Sequence, residues 1–178
     1  MKNILAFSAS NSTNSINLQL LSAAIGKLAG HEIQETDIRD YPMPMYSTVL
    51  EELEGFPETA KQLQSKFIQA DAFVIAIPEH NGSMPAVFKN VIDWLSRLVG
   101  GGAPLFGDKP VLLMSTSPGP RGGITNLQTL TQIMPYWGAD VSGTFSLGSF
   151  YENFSDGQLS EDKDQQLSEA IQKFMGKL

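Results

Sequence analysis

The chain has no cysteine. That excludes disulfides, thiolate metal sites and cysteine nucleophiles, and nothing in it points to secretion. Positive charge is scarce: 12 Lys and Arg stand against 19 Asp and Glu, for a net charge of −7. A nucleic-acid binder needs a cationic footprint for phosphates, and an anionic membrane attracts basic segments, so neither partner is expected. Of the two histidines, His31 has no carboxylate or histidine at metal-ligand spacing, and no metal site is expected. The apolar run Ile4-Leu5-Ala6-Phe7 stops at once in Ser8-Ala9-Ser10-Asn11-Ser12. It is too short for a signal peptide or a membrane span, so a cytoplasmic location is expected.

What is present suits a single α/β domain spanning 1–178. Hydrophobic residues make up 42% of the 178 and charged residues 17%, enough for an ordinary buried core. Apolar runs of strand length at Ile4–Phe7, Ala72–Ile77 and Val111–Met114 alternate with helical periodicities. Glu32–Ile38 and Val141–Phe145 read as two further strands. Helices are expected around Leu18–Leu28, Ala60–Phe67, Val87–Leu98, Leu127–Met134 and Leu167–Phe174. Five strands alternating with five helices imply a doubly wound parallel sheet. Tyr41–Phe56 and Gly100–Pro110, with its Gly100-Gly101-Gly102 run, read as surface loops. No repeat, low-complexity tract or linker interrupts the pattern.

In such sheets, ligands bind beyond the carboxyl ends of the strands, where the strand order reverses. Three loops there carry unusual chemistry. The first, Ser8 to Asn17, has six consecutive Ser, Thr or Asn residues from Ser10 to Ser15. Hydroxyls and amides at a helix N-terminus suit a phosphate without any Lys or Arg, although one such residue would serve as an ordinary N-cap. The loop lacks the glycine-rich signatures of dinucleotide and ATP sites. The second, Ile77-Pro78-Glu79-His80-Asn81-Gly82-Ser83-Met84-Pro85, is stiffened by two prolines. It suits either a planar heterocycle meeting fixed backbone groups or a plain strand-to-helix turn. The third, Ser115-Thr116-Ser117-Pro118-Gly119-Pro120-Arg121-Gly122-Gly123, is explicable as a turn alone.

Pro78-Glu79-His80-Asn81-Gly82-Ser83, with Lys89-Asn90-Val91-Ile92-Asp93-Trp94 downstream, resembles the NAD(P)H-dependent FMN reductases. Their pattern is P-E-Y-N-G-S followed by K-N-A-[IL]-D-W, and they form a flavodoxin-like group including quinone, azo and chromate reductases. Ser10, Ser15 and Asn17 are in register with the family's G-S-x-R-x-x-S-x-N, and the third loop is similar to its S-x-G-x-x-G-G stretch. The resemblance runs from Met1 to the final helix. It implies a flavodoxin-like sheet of order 2-1-3-4-5, bound FMN, and NADPH or NADH as electron donor. It implies that Ser10, Ser12, Ser15 and Asn17 hold the FMN phosphate. Pro78, Glu79, His80, Asn81 and Gly82 would take an isoalloxazine edge, Glu79 through its backbone, and Ser117, Pro118 and Gly119 would flank the ring. Flavin hydride chemistry needs no catalytic side chain, and none is expected. A quinone, azo compound, free flavin or metal oxyanion is the expected acceptor, by a ping-pong mechanism. The alternative is a flavodoxin-like electron carrier that does not itself oxidise NAD(P)H. Ala9 stands where the family has Gly, Ser12 where it has Arg, and His80 where it has Tyr. A homodimer or homotetramer is expected, with Phe88, Trp94 and Met43-Pro44-Met45-Tyr46 as its apolar surface.

Overall fold

Strands made of unbroken apolar residues must be covered on both faces, because neither face can be left to water. In the computed structural model, which describes residues 1–100 and 102–178, that cover is complete; Gly101 of the triple-glycine run lies outside the described residues. The strands are β1 (Asn3–Ser8), β2 (Glu32–Asp37), β3 (Ala72–Ala76), β4 (Lys109–Thr116) and β5 (Ala139–Leu147). They form one parallel sheet in the order β2-β1-β3-β4-β5, as the resemblance implies. Leu5, Phe7, Phe73, Ile75, Val111 and Leu113 point to one face; Ile4, Ala6, Val74, Ala76, Leu112 and Met114 point to the other.

The first face is covered by α3 (Glu58–Gln69), α4 (Ala86–Leu98) and α5 (Ile124–Ile133), through Phe67, Phe88, Leu95 and Leu130 among others. The second is covered by α1 (Ile16–Ile25) and α7 (Glu161–Met175), through Leu20, Leu21, Ile171 and Phe174. A short α6 (Phe150–Asn153) and a two-stranded hairpin, Phe154–Ser155 with Gln158–Leu159, join β5 to α7. Among the described residues, no helix is long and apolar enough to cross a membrane.

The structure corrects three expectations. Tyr41–Phe56 is not all loop: Thr48–Glu54 forms α2, capped by Ser47 Oγ accepting from Leu50 N and stopped at Gly55, φ 74°. None of its residues is buried, and its apolar Val49 and Leu53 face outward, so it has no core-facing stripe for periodicity to detect. Gly100–Pro110 is a surface loop only in part: among its described residues Gly100, Gly102, Ala103, Pro104, Gly107 and Asp108 are exposed, but Phe106 is buried against Phe67 and Phe73, ring centroids 5.4 and 5.0 Å apart, and Lys109 and Pro110 open β4. Finally, Phe88 and Trp94 are fully buried and form no dimer surface. Phe88 packs on Phe7. Trp94 is covered by the 40s segment: its Nε1 donates to Pro44 O at 2.8 Å, and Tyr46 and Phe56 meet its ring edge-to-face. Asn90 completes the anchorage, accepting from Tyr46 N and donating to Pro44 O. Tyr46 Oη donates to Glu51, whose carboxyl Arg97 holds below the usual carboxylate range.

Candidate functional site

Ser8 is in register with Ala76, and Ala76 with Met114. The loops leaving β1, β3 and β4 therefore emerge side by side at strand spacings of about 4.8 Å. The chain runs from β1 outward to β2 and then crosses back to β3, so the gap between β1 and β3 is the switch point of the sheet.

The first loop is built to give donors away. Ser15 is the N-cap of α1, its Oγ accepting from Leu18 N at 3.2 Å. Ser10 Oγ accepts from Ser12 N, and Ser12 Oγ from Asn14 N, both at 3.2 Å. A hydroxyl has one proton and two lone pairs, so each of these three, acting as acceptor toward the backbone, keeps its O–H for a ligand. The first turn of α1 holds no acidic residue, leaving its unpaired N–H groups and positive dipole end unopposed. The donor set fits a phosphate group.

Asn17 acts differently from Ser10, Ser12 and Ser15. It is buried, and its side chain makes a two-point bond to β4: Nδ2 donates to Thr116 O at 3.1 Å and Oδ1 accepts from Thr116 N at 3.0 Å. What Asn17 offers a phosphate is its main-chain N–H; its side chain ties the first loop to the third.

In the second loop, Asn81 and Gly82 have φ of 52° and 77°, while His80 and Ser83 exchange two backbone hydrogen bonds of 2.8 and 3.0 Å. That is the mirror-image turn for which Asn-Gly is the preferred pair. His80, Asn81 and Gly82 are exposed at its tip, and Pro78 is buried at its root. Glu79 turns its side chain inward, Oε2 accepting from Asn126 N at 3.0 Å at the N-terminus of α5. Asn126 Nδ2 in turn donates to Pro78 O at 3.0 Å. The pair clamps the loop to α5 and leaves the Glu79 carboxylate committed to a helix end. Sequence reasoning passed over Asn126; nothing local marks it, because its partners lie 47 and 48 positions away.

The third loop is held from the β5 side. Ser149 N donates to Gly119 O and Phe150 N to Ser117 O. Gly123 has φ 76°, and a Cβ there would stand 2.0 Å from Ser115 Oγ, so the turn into α5 requires glycine. Pro118 and Gly119 are exposed, and a Cβ on Gly119 would meet nothing within 4 Å. The side-chain position at Gly119 is therefore open to solvent, as is the tip of the second loop.

Fold and site together define a flavodoxin-like protein with a hydroxyl-lined helix N-terminus beside two exposed loops at its switch point. The sequence matches the family described as NADPH-dependent FMN reductase over residues 2–152, and the chain belongs to that family of oxidoreductases. It is 40% identical over 124 residues to a quinone reductase of Escherichia coli K12, a match covering 69% of this chain and 64% of that protein. It is 34% identical over 124 residues to an NADPH:quinone oxidoreductase of Arabidopsis thaliana, covering 67% of this chain and 60% of that one. Each match thus takes in less than two thirds of the relative's length. Among solved structures, the fold is similar to the NAD(P)H:(acceptor) oxidoreductase FerB of Paracoccus denitrificans, with TM-score 0.73, 22% identity, and coverage of 98% of this chain and 99% of that one. It is also similar to azoreductase AzrA, with TM-score 0.66, 20% identity, and coverage of 96% and 97%.

Proposed function

We propose that this protein binds FMN and oxidises NADPH or NADH, passing the electrons to a small acceptor, with quinones the first class to test. The observation that supports it most is the cross-tied site: a phosphate-type cradle at α1, joined through Asn17 to the loop after β4, next to the Asn81-Gly82 turn. Ser10, Ser12 and Ser15 hydroxyls and the first N–H groups of α1 hold the phosphate. Pro78 to Gly82 present backbone groups to one edge of the isoalloxazine, and Ser117 to Gly119 border the ring. Bound FMN supplies two-electron chemistry between nicotinamide and acceptor, so the protein's work is to hold the ring and keep one face open. An open face that serves donor and acceptor in turn gives ping-pong kinetics. The names of the relatives, quinone reductase and NADPH:quinone oxidoreductase, favour quinones over azo compounds, free flavin or metal oxyanions.

The purified chain is expected to take up FMN at one per chain and, on rapid mixing with NADPH or NADH, to lose the flavin absorbance quickly. Added quinone restores it. Protein that stays colourless after incubation with FMN removes the proposal. Protein that binds FMN but is bleached only by dithionite is instead an electron carrier.

We infer also that two copies associate. Val49 and Leu53, one helical turn apart on α2, are 63% and 79% exposed, and Met45, four residues before Val49 in the chain, is 71% exposed. Apolar groups gathered on one face of a monomer mark an interaction surface, and this face borders the strap over α4. Light scattering on the flavin-loaded protein is expected to give twice the mass of one chain, and Leu53→Lys to halve it. A single-chain mass with full reductase activity would dismiss the dimer.

A further inference from the structure

The helix that leaves the third loop has no cap of its own. Its N-cap position is Gly123, which makes no side-chain bond, and its first turn holds no acidic residue. The missing acceptor comes from the second loop, 47 positions away in the chain: Glu79 Oε2 accepts from Asn126 N at 3.0 Å. Asn126 is the third residue of α5, and its N–H is one of those a capping side chain ordinarily takes. A Cβ built on Gly123 would stand 3.6 Å from Glu79 Cβ, so the stem of the glutamate lies against the turn it caps. We propose that Glu79 is a potential-setting residue: its carboxylate, fixed between the second loop and the N-terminus of α5, keeps a negative charge beside the bound FMN and lowers the reduction potential of the flavin. The proposal rests on the reading of Pro78 to Gly82 as the edge that meets the isoalloxazine.

Three observations support it. The charge is held in place. Glu79 is half-buried, its carboxylate is bonded to a main-chain N–H, and the preceding carbonyl, Pro78 O, accepts from Asn126 Nδ2 at 3.0 Å. Next, the charge is not cancelled by a side chain. Among the described residues no Lys, Arg or His pairs with Glu79. Arg121, the cation of the third loop, turns instead to Thr125, its Nη2 donating to Oγ1 at 2.7 Å. The helix end supplies about half a unit of positive charge, so a net negative charge remains. Finally, the residue belongs to the same short loop as the exposed tip His80-Asn81-Gly82, one side chain's length from the backbone groups that would border the ring.

Hydride transfer from a nicotinamide carries two electrons and one proton. The nicotinamide is oxidised, and the transfer leaves the ring one unit more negative. A nearby carboxylate opposes that added charge by an energy that falls only as the inverse of distance and dielectric constant, and charge near the ring is one of the levers a protein has on a flavin. The potential therefore falls, and the reduced protein becomes the stronger donor when the two electrons pass on to the acceptor.

The potential of the bound FMN, measured by anaerobic equilibration with a reference dye, tests this. Glu79→Gln keeps an oxygen to accept from Asn126 N and removes the charge. Its potential is expected to rise by about 30 mV, a tenfold change in a two-electron equilibrium, with Tm close to that of the unaltered protein. Glu79→Ala loses the cap as well, so it should show the rise together with a lower Tm. A potential in Glu79→Gln equal to or below that of the unaltered protein overturns the proposal and leaves the FMN site standing. A rise confined to Glu79→Ala assigns the effect to the lost cap and overturns it too. Should Glu79→Gln not fold, Ile124→Glu runs the test in the opposite direction. Ile124 is 37% exposed in the first turn of α5, where an acidic side chain suits the helix end. The added carboxylate should lower the potential, and an unchanged or raised value overturns the proposal. Unaltered protein that binds no FMN overturns the site and the proposal together.

Discussion

Asn17→Ala is expected to lower stability and FMN affinity together. The side chain forms two hydrogen bonds with the main chain of Thr116, at 3.1 and 3.0 Å, in a fully buried setting. Alanine strands a buried N–H and a buried C=O, at a cost of roughly 2–4 kcal/mol for the pair. In a domain of this size, each kcal/mol lowers Tm by about 2–4 °C, so the flavin-free protein should melt roughly 4–16 °C lower. FMN affinity should fall as well, because the tie aligns the phosphate cradle with the loop bordering the ring. Ser10→Ala is the contrast. Its hydroxyl accepts from an exposed neighbour, Ser12, and keeps its proton for the ligand, so FMN binding should weaken by about 1–2 kcal/mol with little change in Tm. If Asn17→Ala weakens FMN but melts like the unaltered protein, the side chain acts on the phosphate directly and the cross-tie has no energetic role.

Trp94→Ala is expected to be the most destabilising single change. Trp94 is fully buried in α4, and truncating a large buried aromatic costs about 3–5 kcal/mol. The same ring supports Tyr46 and Phe56, and its N–H holds Pro44 O. Losing it should free residues 41–57 from α4 before the sheet itself unfolds. Urea midpoints measure the first effect, and limited proteolysis in native buffer, with new cuts inside 41–57, measures the second. Trp94→Phe keeps most of the apolar area and drops only the N–H, so about 1–2 kcal/mol is expected. If both variants unfold at the same midpoint, the bond to Pro44 and not the packing is what holds the strap.

Such contacts separate what was legible in the residue order from what was not. The apolar runs at Ile4, Ala72 and Val111, with helical periodicities between them, were sufficient for a two-sided parallel sheet, since nothing else buries both faces of such strands. The hydroxyl cluster from Ser10 to Ser15, the Asn81-Gly82 turn and the Gly122-Gly123 pair were equally visible, because turn and cap preferences act within a few residues. The short α2 could have been found from Ser47 and Gly55, a cap and a stop with no core-facing stripe between. The roles of Asn17, Glu79, Asn126 and Trp94 could not, and Trp94, expected on an apolar surface, belongs to the buried core. Asn17 meets its partner 99 positions away, Glu79 meets Asn126 across 47, and Trp94 meets Pro44 across 50. Local preference decides which segments become strands, helices and turns. Which polar groups are then left to a ligand, and which are consumed in holding two loops together, depends on what the fold brings within 3 Å, and only the tertiary structure decided it.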